Sequence, residues 1–136
     1  MRRIVLILFT ILVIAMPKEA SAQYNRNYIY WMGQQCMIDN DYRSAIDILN
    51  VLIRHIPTDS DAHFLRGIAK YNMDDLLGAD VDFSRAIELN PVFPGAYYYR
   101  AITRSQLGNY DDALADFREA IELRPDLPNP YYSRGV

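Results

Sequence analysis

Ala45, Ala79 and Ala113 stand 34 residues apart in a chain of 136. The same interval separates Leu49, Phe83 and Phe117, then Leu52, Ala86 and Ala120, then Ile53, Ile87 and Ile121, and finally Pro57, Pro91 and Pro125. Within each copy the apolar residues fall at steps of four, three and one, which places them on one face of a helix. The proline then ends that helix, because it lacks the N–H needed to continue and disfavours helical geometry in the residue before it. Asp111 and Asp112 sit where a helix start favours negative charge. The other half of each copy keeps phase as well: Gly33, Gly67, Ala101 and Gly135 recur, as do Tyr42, Leu76 and Tyr110. Between them lie Asn40, Asp74 and Gly108, all types that tolerate positive φ. Asp41, Asp75 and Asn109 follow, all good N-cap residues. A turn that ends one helix and caps the next is written three times in different letters. Such a chain folds as stacked helical hairpins, since one hairpin cannot bury its apolar face alone.

The unit resembles the tetratricopeptide repeat, a helix–turn–helix hairpin of this length. The stretches Tyr97–Ala101 and Tyr131–Gly135 are similar to that family's YYxRG form of the first helix. Two family positions differ: the tryptophan position holds Ile29, His63, Tyr97 and Tyr131, and the first-helix leucine position holds Met32, Arg66, Arg100 and Arg134. The resemblance implies an all-α fold, a right-handed α-solenoid with units at 26–59, 60–93 and 94–127 and the start of a fourth at 128–136. Pro94 and Pro128 suit the first turn of a helix. A fourth unit that stops mid-helix, with no polar element covering it, leads to the expectation of a longer parent protein. The first helix of the chain is expected at Asn27–Ile38. Gly67 against Ala79, and Ala101 against Ala113, are expected to form close helix crossings. Phe117 is an expected core residue.

The first 22 residues read differently. Arg2 and Arg3 precede an apolar run from Ile4 to Met16; Pro17 breaks it, and Ala20-Ser21-Ala22 has a small-x-small pattern. This is the layout of a secretory signal peptide, with cleavage expected between Ala22 and Gln23 and a short linker at 23–25. The run is shorter than the ~20 residues that span a bilayer. Export to a periplasmic or extracellular space is therefore expected, with an uncleaved anchor as the alternative. The segment carries three of the 14 basic residues and one of the 17 acidic ones, so the rest of the chain nets −5. An acidic body argues against nucleic acid as a partner and against a polybasic membrane patch. Cys36 is the only cysteine, which excludes an internal disulfide. It reads as a small buried hydrophobe, with pairing to another molecule as the alternative.

The resemblance further implies that the first helices of successive units line a concave groove. The residues that recur on that face are Tyr30, Phe64, Tyr98 and Tyr132, then Gln34, Ile68 and Ile102, then Met37, Tyr71 and Ser105. Tyrosine offers large contact area with few rotors and a polar tip. Space-filling between units is the competing role, above all for Phe64. Some family members clamp a carboxylate with Lys, Arg and Asn on this face; the matching positions hold Tyr30, Gln34, Leu65, Gly95 and Tyr99, and none is cationic. A peptide with apolar anchors fits better. Arg66 and Arg100 recur in step with Asp82 and Asp116, which reads as pairing that ties helices together rather than as ligand binding. His55 and His63 lie in no metal-ligand pattern, and no phosphate-cradling or nucleophile motif occurs. The expectation is a non-catalytic scaffold with no cofactor and no metal that holds a protein or peptide. The alternatives are the repeat region of a larger enzyme or sensor, and a structural module that self-associates near Tyr131.

Overall fold

The computed structural model describes residues 2–4 and 18–124. Six helices follow in order: α1 (Lys18–Ile38), α2 (Tyr42–His55), α3 (Ser60–Asn72), α4 (Leu76–Leu89), α5 (Pro94–Gln106) and α6 (Tyr110–Leu123). No strand occurs among the described residues. The helices pair as hairpins, α1 with α2, α3 with α4 and α5 with α6, and each hairpin packs on the next. The fold is an all-α helical repeat.

The three hairpin turns carry out the design written in the sequence. Asn40, Asp74 and Gly108 take φ of 58°, 64° and 85°. Asp41 and Asp75 then cap α2 and α4, accepting from the backbone N–H of Ser44 at 3.2 Å and of Gly78 at 3.0 Å. Asn109 occupies the same position before α6 without a side-chain cap bond. Asp111 and Asp112 lie in the first turn of α6. Helices α2, α4 and α6 end two residues before Pro57, Pro91 and Pro125. Pro94 opens α5.

The core follows the repeat. Ala45, Leu49, Ala79, Phe83, Ala86, Ala101, Ala113 and Ala120 are all buried. Leu49 and Leu52 of α2 cluster with Ala62 and Leu65 of α3, and Phe83 of α4 packs against Tyr99 of α5. The second helix of one unit thus covers the first helix of the next.

Several expectations need correction. Helix α1 starts nine residues before Asn27, at Lys18. Lys18, Glu19, Ala20, Ala22 and Gln23 are good helix formers, and neither Gly nor Pro interrupts them, so the helix propagates through the stretch that the small-x-small pattern marks as a boundary. At Gly67 the nearest neighbour is a ring that the residue spacing does not indicate. The three atoms nearest an added Cβ there all belong to Phe83, the closest at 2.7 Å. Gly33 meets Leu49 in the same way at 3.2 Å. Phe117, on the last described helix, is half-buried, whereas Phe83 is fully buried. Cys36 is likewise half-buried rather than buried, and burial, followed by the charges of Asp41 and Asp39, pushes its thiol pKa up.

Candidate interaction face on the first helices

Helices α1, α3 and α5 touch one another in succession, so their outward residues form one surface. Tyr30, Gln34 and Met37 lie along α1, Phe64, Ile68 and Tyr71 along α3, and Tyr98, Ile102 and Ser105 along α5, each set at steps of four and three. Tyr132 lies outside the described residues. Gln106 of α5 donates a hydrogen bond from its side-chain amide to the Tyr71 hydroxyl of α3, joining two units across this face. Gln34 is exposed; the other eight are half-buried.

These residues are not equally free. Met37 packs against the Leu49 and Leu52 cluster. The Phe64 ring meets Phe93 at 4.7 Å, Tyr99 at 5.7 Å and Phe83 at 5.9 Å between ring centres, so it fills space between units. Tyr98 leans edge-on against Tyr99 and Phe117, each at 5.8 Å. Tyr30 lies under the Arg26 guanidinium at 4.9 Å, and burial, with the Asp61 charge, pushes its hydroxyl pKa up. Ile68, Ile102 and Ser105 complete the strip between the aromatic groups.

Behind this face runs a polar seam. Asp82, on α4, is buried and accepts from Arg66 at 2.8 and 2.7 Å; Lys70 approaches it at 3.0 Å. Arg66 also donates to Asn50 of the preceding unit at 2.8 Å. The next unit repeats the arrangement: Arg100 donates to Asp116 at 2.8 and 2.6 Å and to Ser84 at 3.1 Å, while Arg104 reaches Asp116 at 3.1 Å and Asp80 at 2.8 Å. The Arg–Asp pairing read from the period is therefore structural. In the first unit the corresponding positions hold Met32, Ile48 and Cys36. That unit has an apolar seam where the other two have a charged one.

The period offers no sign of one further contact. Arg26 of α1 grips Asp59 with bonds of 2.7 and 3.0 Å and Asp61 at 2.9 Å. Asp59 simultaneously caps α3, accepting from the Ala62 N–H at 3.1 Å. Burial alone would raise the Asp59 carboxyl pKa. The bonds from Arg26 and from the Ala62 and Asp61 backbone outweigh that effect and hold it below the usual carboxylate range. Phe93 stands where a repeat of Asp59 would be, so only the helix-start pattern Asp59-Ser60-Asp61 hints at the cap.

Every described Arg and Lys on α3 and α5 is bonded to an aspartate, and so is Arg26 on α1. No group of three or more His, Cys, Asp or Glu residues is placed to hold a metal among the described residues. Among those residues, too, no helix is long and apolar enough to cross a membrane.

The comparisons agree with this architecture. Residues 94–127 match the tetratricopeptide repeat model. No curated protein matches the chain by sequence. Among solved structures, the chain is similar to the first repeat domain of Spaghetti (RPAP3) bound to the HSP90 peptide SRMEEVD, with a TM-score of 0.76, 21% identity, and coverage of 79% of this chain and 86% of that one. It is similar to the TPR2B domain of yeast Sti1 in its pHsp70 complex, with a TM-score of 0.71, 22% identity, and coverage of 81% and 88%. It is also similar to MamA, with a TM-score of 0.73, 24% identity, and coverage of 88% of this chain and 66% of that one. The fold is that of a helical-repeat protein, and its 94–127 unit carries the tetratricopeptide signature.

Proposed function

We propose that the protein is an exported scaffold that holds a partner protein or peptide against the face formed by α1, α3 and α5. The observation that carries this reading is the continuity of that face, with the Gln106–Tyr71 bond joining two units across it. Two of the similar structures are complexes with an HSP90 peptide and with pHsp70, which supports a protein or peptide partner. The chemistry of the partner is different. Arg26, Arg66, Lys70, Arg100 and Arg104 of the inner helices are committed to Asp59, Asp82 and Asp116, so the face offers tyrosine hydroxyls, amides and the half-buried Ile68 and Ile102 instead of a carboxylate clamp. An uncharged peptide with apolar anchors fits it. Ala22 and Gln23 lie inside α1, so cleavage there takes place before that helix forms or with its first turns unwound.

The test is capture from the exported fraction with the wild-type chain and with Gln34→Lys plus Ser105→Glu. These changes alter charge on the face without touching the core. Loss of the partner with unchanged helix content supports the assignment, and capture of the same partner refutes it. Terminal sequencing of the exported chain checks for a start at Gln23.

A further inference from the structure

Building on the reading of α1, α3 and α5 as a peptide site, we propose that its occupant is an uncharged proline-rich segment in the polyproline II conformation. The segment lies across the three helices, with Tyr30 and Tyr98 donating to its carbonyls. One observation is a pair of uncommitted donors. Among the described residues, Tyr30 makes a cation–π contact and Tyr98 makes two ring contacts, but neither hydroxyl makes a hydrogen bond. Neither hydroxyl is sealed from solvent, because among those residues His63 Nδ1 is the one buried side-chain polar atom without a bond. A third hydroxyl lies on the opposite margin of the strip. Tyr71 is seven residues on from Phe64, about 10 Å along α3. It accepts from Gln106 and keeps its own O–H to donate. Between the two margins lie Gln34, Ile68 and Ile102.

The other observation is the spacing of the helices. Successive first helices touch, which sets them about 8–10 Å apart. A polyproline II chain has three residues per turn at about 3.1 Å each, so the same side of it returns every ~9 Å and meets each helix in turn. A β-strand repeats at about 6.6 Å and falls out of step. An α-helix returns after seven residues, about 10.5 Å, but it bonds its own carbonyls and leaves the phenols unpaired. Polyproline II has no internal hydrogen bonds, and proline carries a carbonyl without an N–H, so such a segment takes donors and supplies none. Tyrosine suits it twice, with an apolar ring against the pyrrolidine and a hydroxyl for the carbonyl. Charge agrees. Arg26, Arg66, Lys70, Arg100 and Arg104 are all held by aspartates, and Asp61 is held by Arg26, so the strip favours a ligand without charge.

Capped decaproline, an uncharged polyproline II probe, is titrated calorimetrically into the full chain. Two capped peptides of the same length serve as comparisons: flexible Gly–Gln repeats, and an uncharged helix of Ala, Leu and Gln. Decaproline should bind more tightly than either. Tyr30→Phe plus Tyr98→Phe keeps both rings and should weaken it about tenfold or more, with helix content by circular dichroism unchanged. Each single variant loses one oxygen and should weaken it about fivefold, which decides the matter if the double variant loses helix. No preference for decaproline, or binding untouched by loss of the hydroxyls, overturns the proposal. Tighter binding of the helical peptide overturns it too and makes a helix the occupant. In each case the broader reading still stands if capture from the exported fraction yields a partner that Gln34→Lys plus Ser105→Glu releases.

Discussion

Asp82 receives two cations, and its removal is predicted to be the most damaging single loss of charge in the molecule. The side chain is 2% exposed and holds both Arg66 and Lys70. Asp82→Ala leaves two positive groups facing an apolar gap. Breaking a buried pair costs about 3–5 kcal/mol. Arg66 and Lys70 retain 19% and 23% side-chain exposure, so both can turn partly toward water, which places the loss near the lower bound of about 3 kcal/mol. For a domain of about 100 residues that lowers the melting temperature by roughly 12–24 °C. The first unit shows how to rescue it, because Met32, Ile48 and Cys36 fill the same three places without charge. Arg66→Met, Lys70→Cys and Asp82→Ile combined should therefore melt at or above wild type, as replacement of a buried ion pair by packed apolar groups often does. Asn50 loses the bond it accepts from Arg66 but is half-exposed, so water can replace it. Circular dichroism at 222 nm during urea and thermal unfolding measures all three proteins. If the triple variant is as unstable as Asp82→Ala, the seam is not modular and the reasoning fails. A harmless Asp82→Ala would refute it equally.

Three further outcomes follow from other contacts. Because the folded Asp59 carboxyl is held below its unfolded value of about 4, its stabilisation is complete above that pH and disappears as pH falls through the folded value; the urea midpoint of wild type should therefore converge on that of Asp59→Asn below about pH 4 and exceed it at pH 6. Gly67→Ala should cost about 1–3 kcal/mol, because its Cβ would lie 2.7 Å from the Phe83 ring, while Gly33→Ala meets only the flexible end of Leu49 at 3.2 Å and should cost less; equal losses in urea unfolding would contradict the packing account. His63 donates from Nε2 to the Pro57 carbonyl at 2.9 Å and leaves Nδ1 buried without a partner, whereas Tyr97, one period on, makes the same bond from its hydroxyl to Pro91 at 3.0 Å; His63→Tyr should keep the bond, remove the orphan and gain about 1 kcal/mol, and a loss of stability would show that the ring does not fit.

The regular part of the molecule is legible because one physical requirement recurs. A turn needs a residue that accepts positive φ and then an N-cap, and Asn40-Asp41, Asp74-Asp75 and Gly108-Asn109 each supply the pair. The Arg66–Asp82 and Arg100–Asp116 pairs are legible for the same reason, since both partners shift together by one period. What escapes is whatever occurs once. The Arg26–Asp59 staple has no copy at Phe93, and the early start of α1 depends on propensity in a stretch whose small residues also suit cleavage. The partner of Gly67 is missed for a geometric reason: residue spacing fixes which faces meet but not how far a phenyl ring reaches across them. On the candidate face, spacing finds the residues, yet it cannot separate Phe64, committed to three rings, from Ile68 and Ser105, which have no such commitment.

The second and third hairpins are joined through rings, Phe64 and Phe83 each meeting Tyr99 and Phe64 meeting Phe93 in the connection, whereas the first hairpin joins the second through a mainly aliphatic cluster, the Arg26 grip and the Arg66–Asn50 bond. In a quasi-linear array, the strength of each junction decides which hairpins melt together. Amide exchange in α3–α5 should consequently slow as one block, with α1 and α2 opening ahead of it. A ligand laid across all three inner helices would then draw the weakly joined first hairpin into that block and erase the difference in opening.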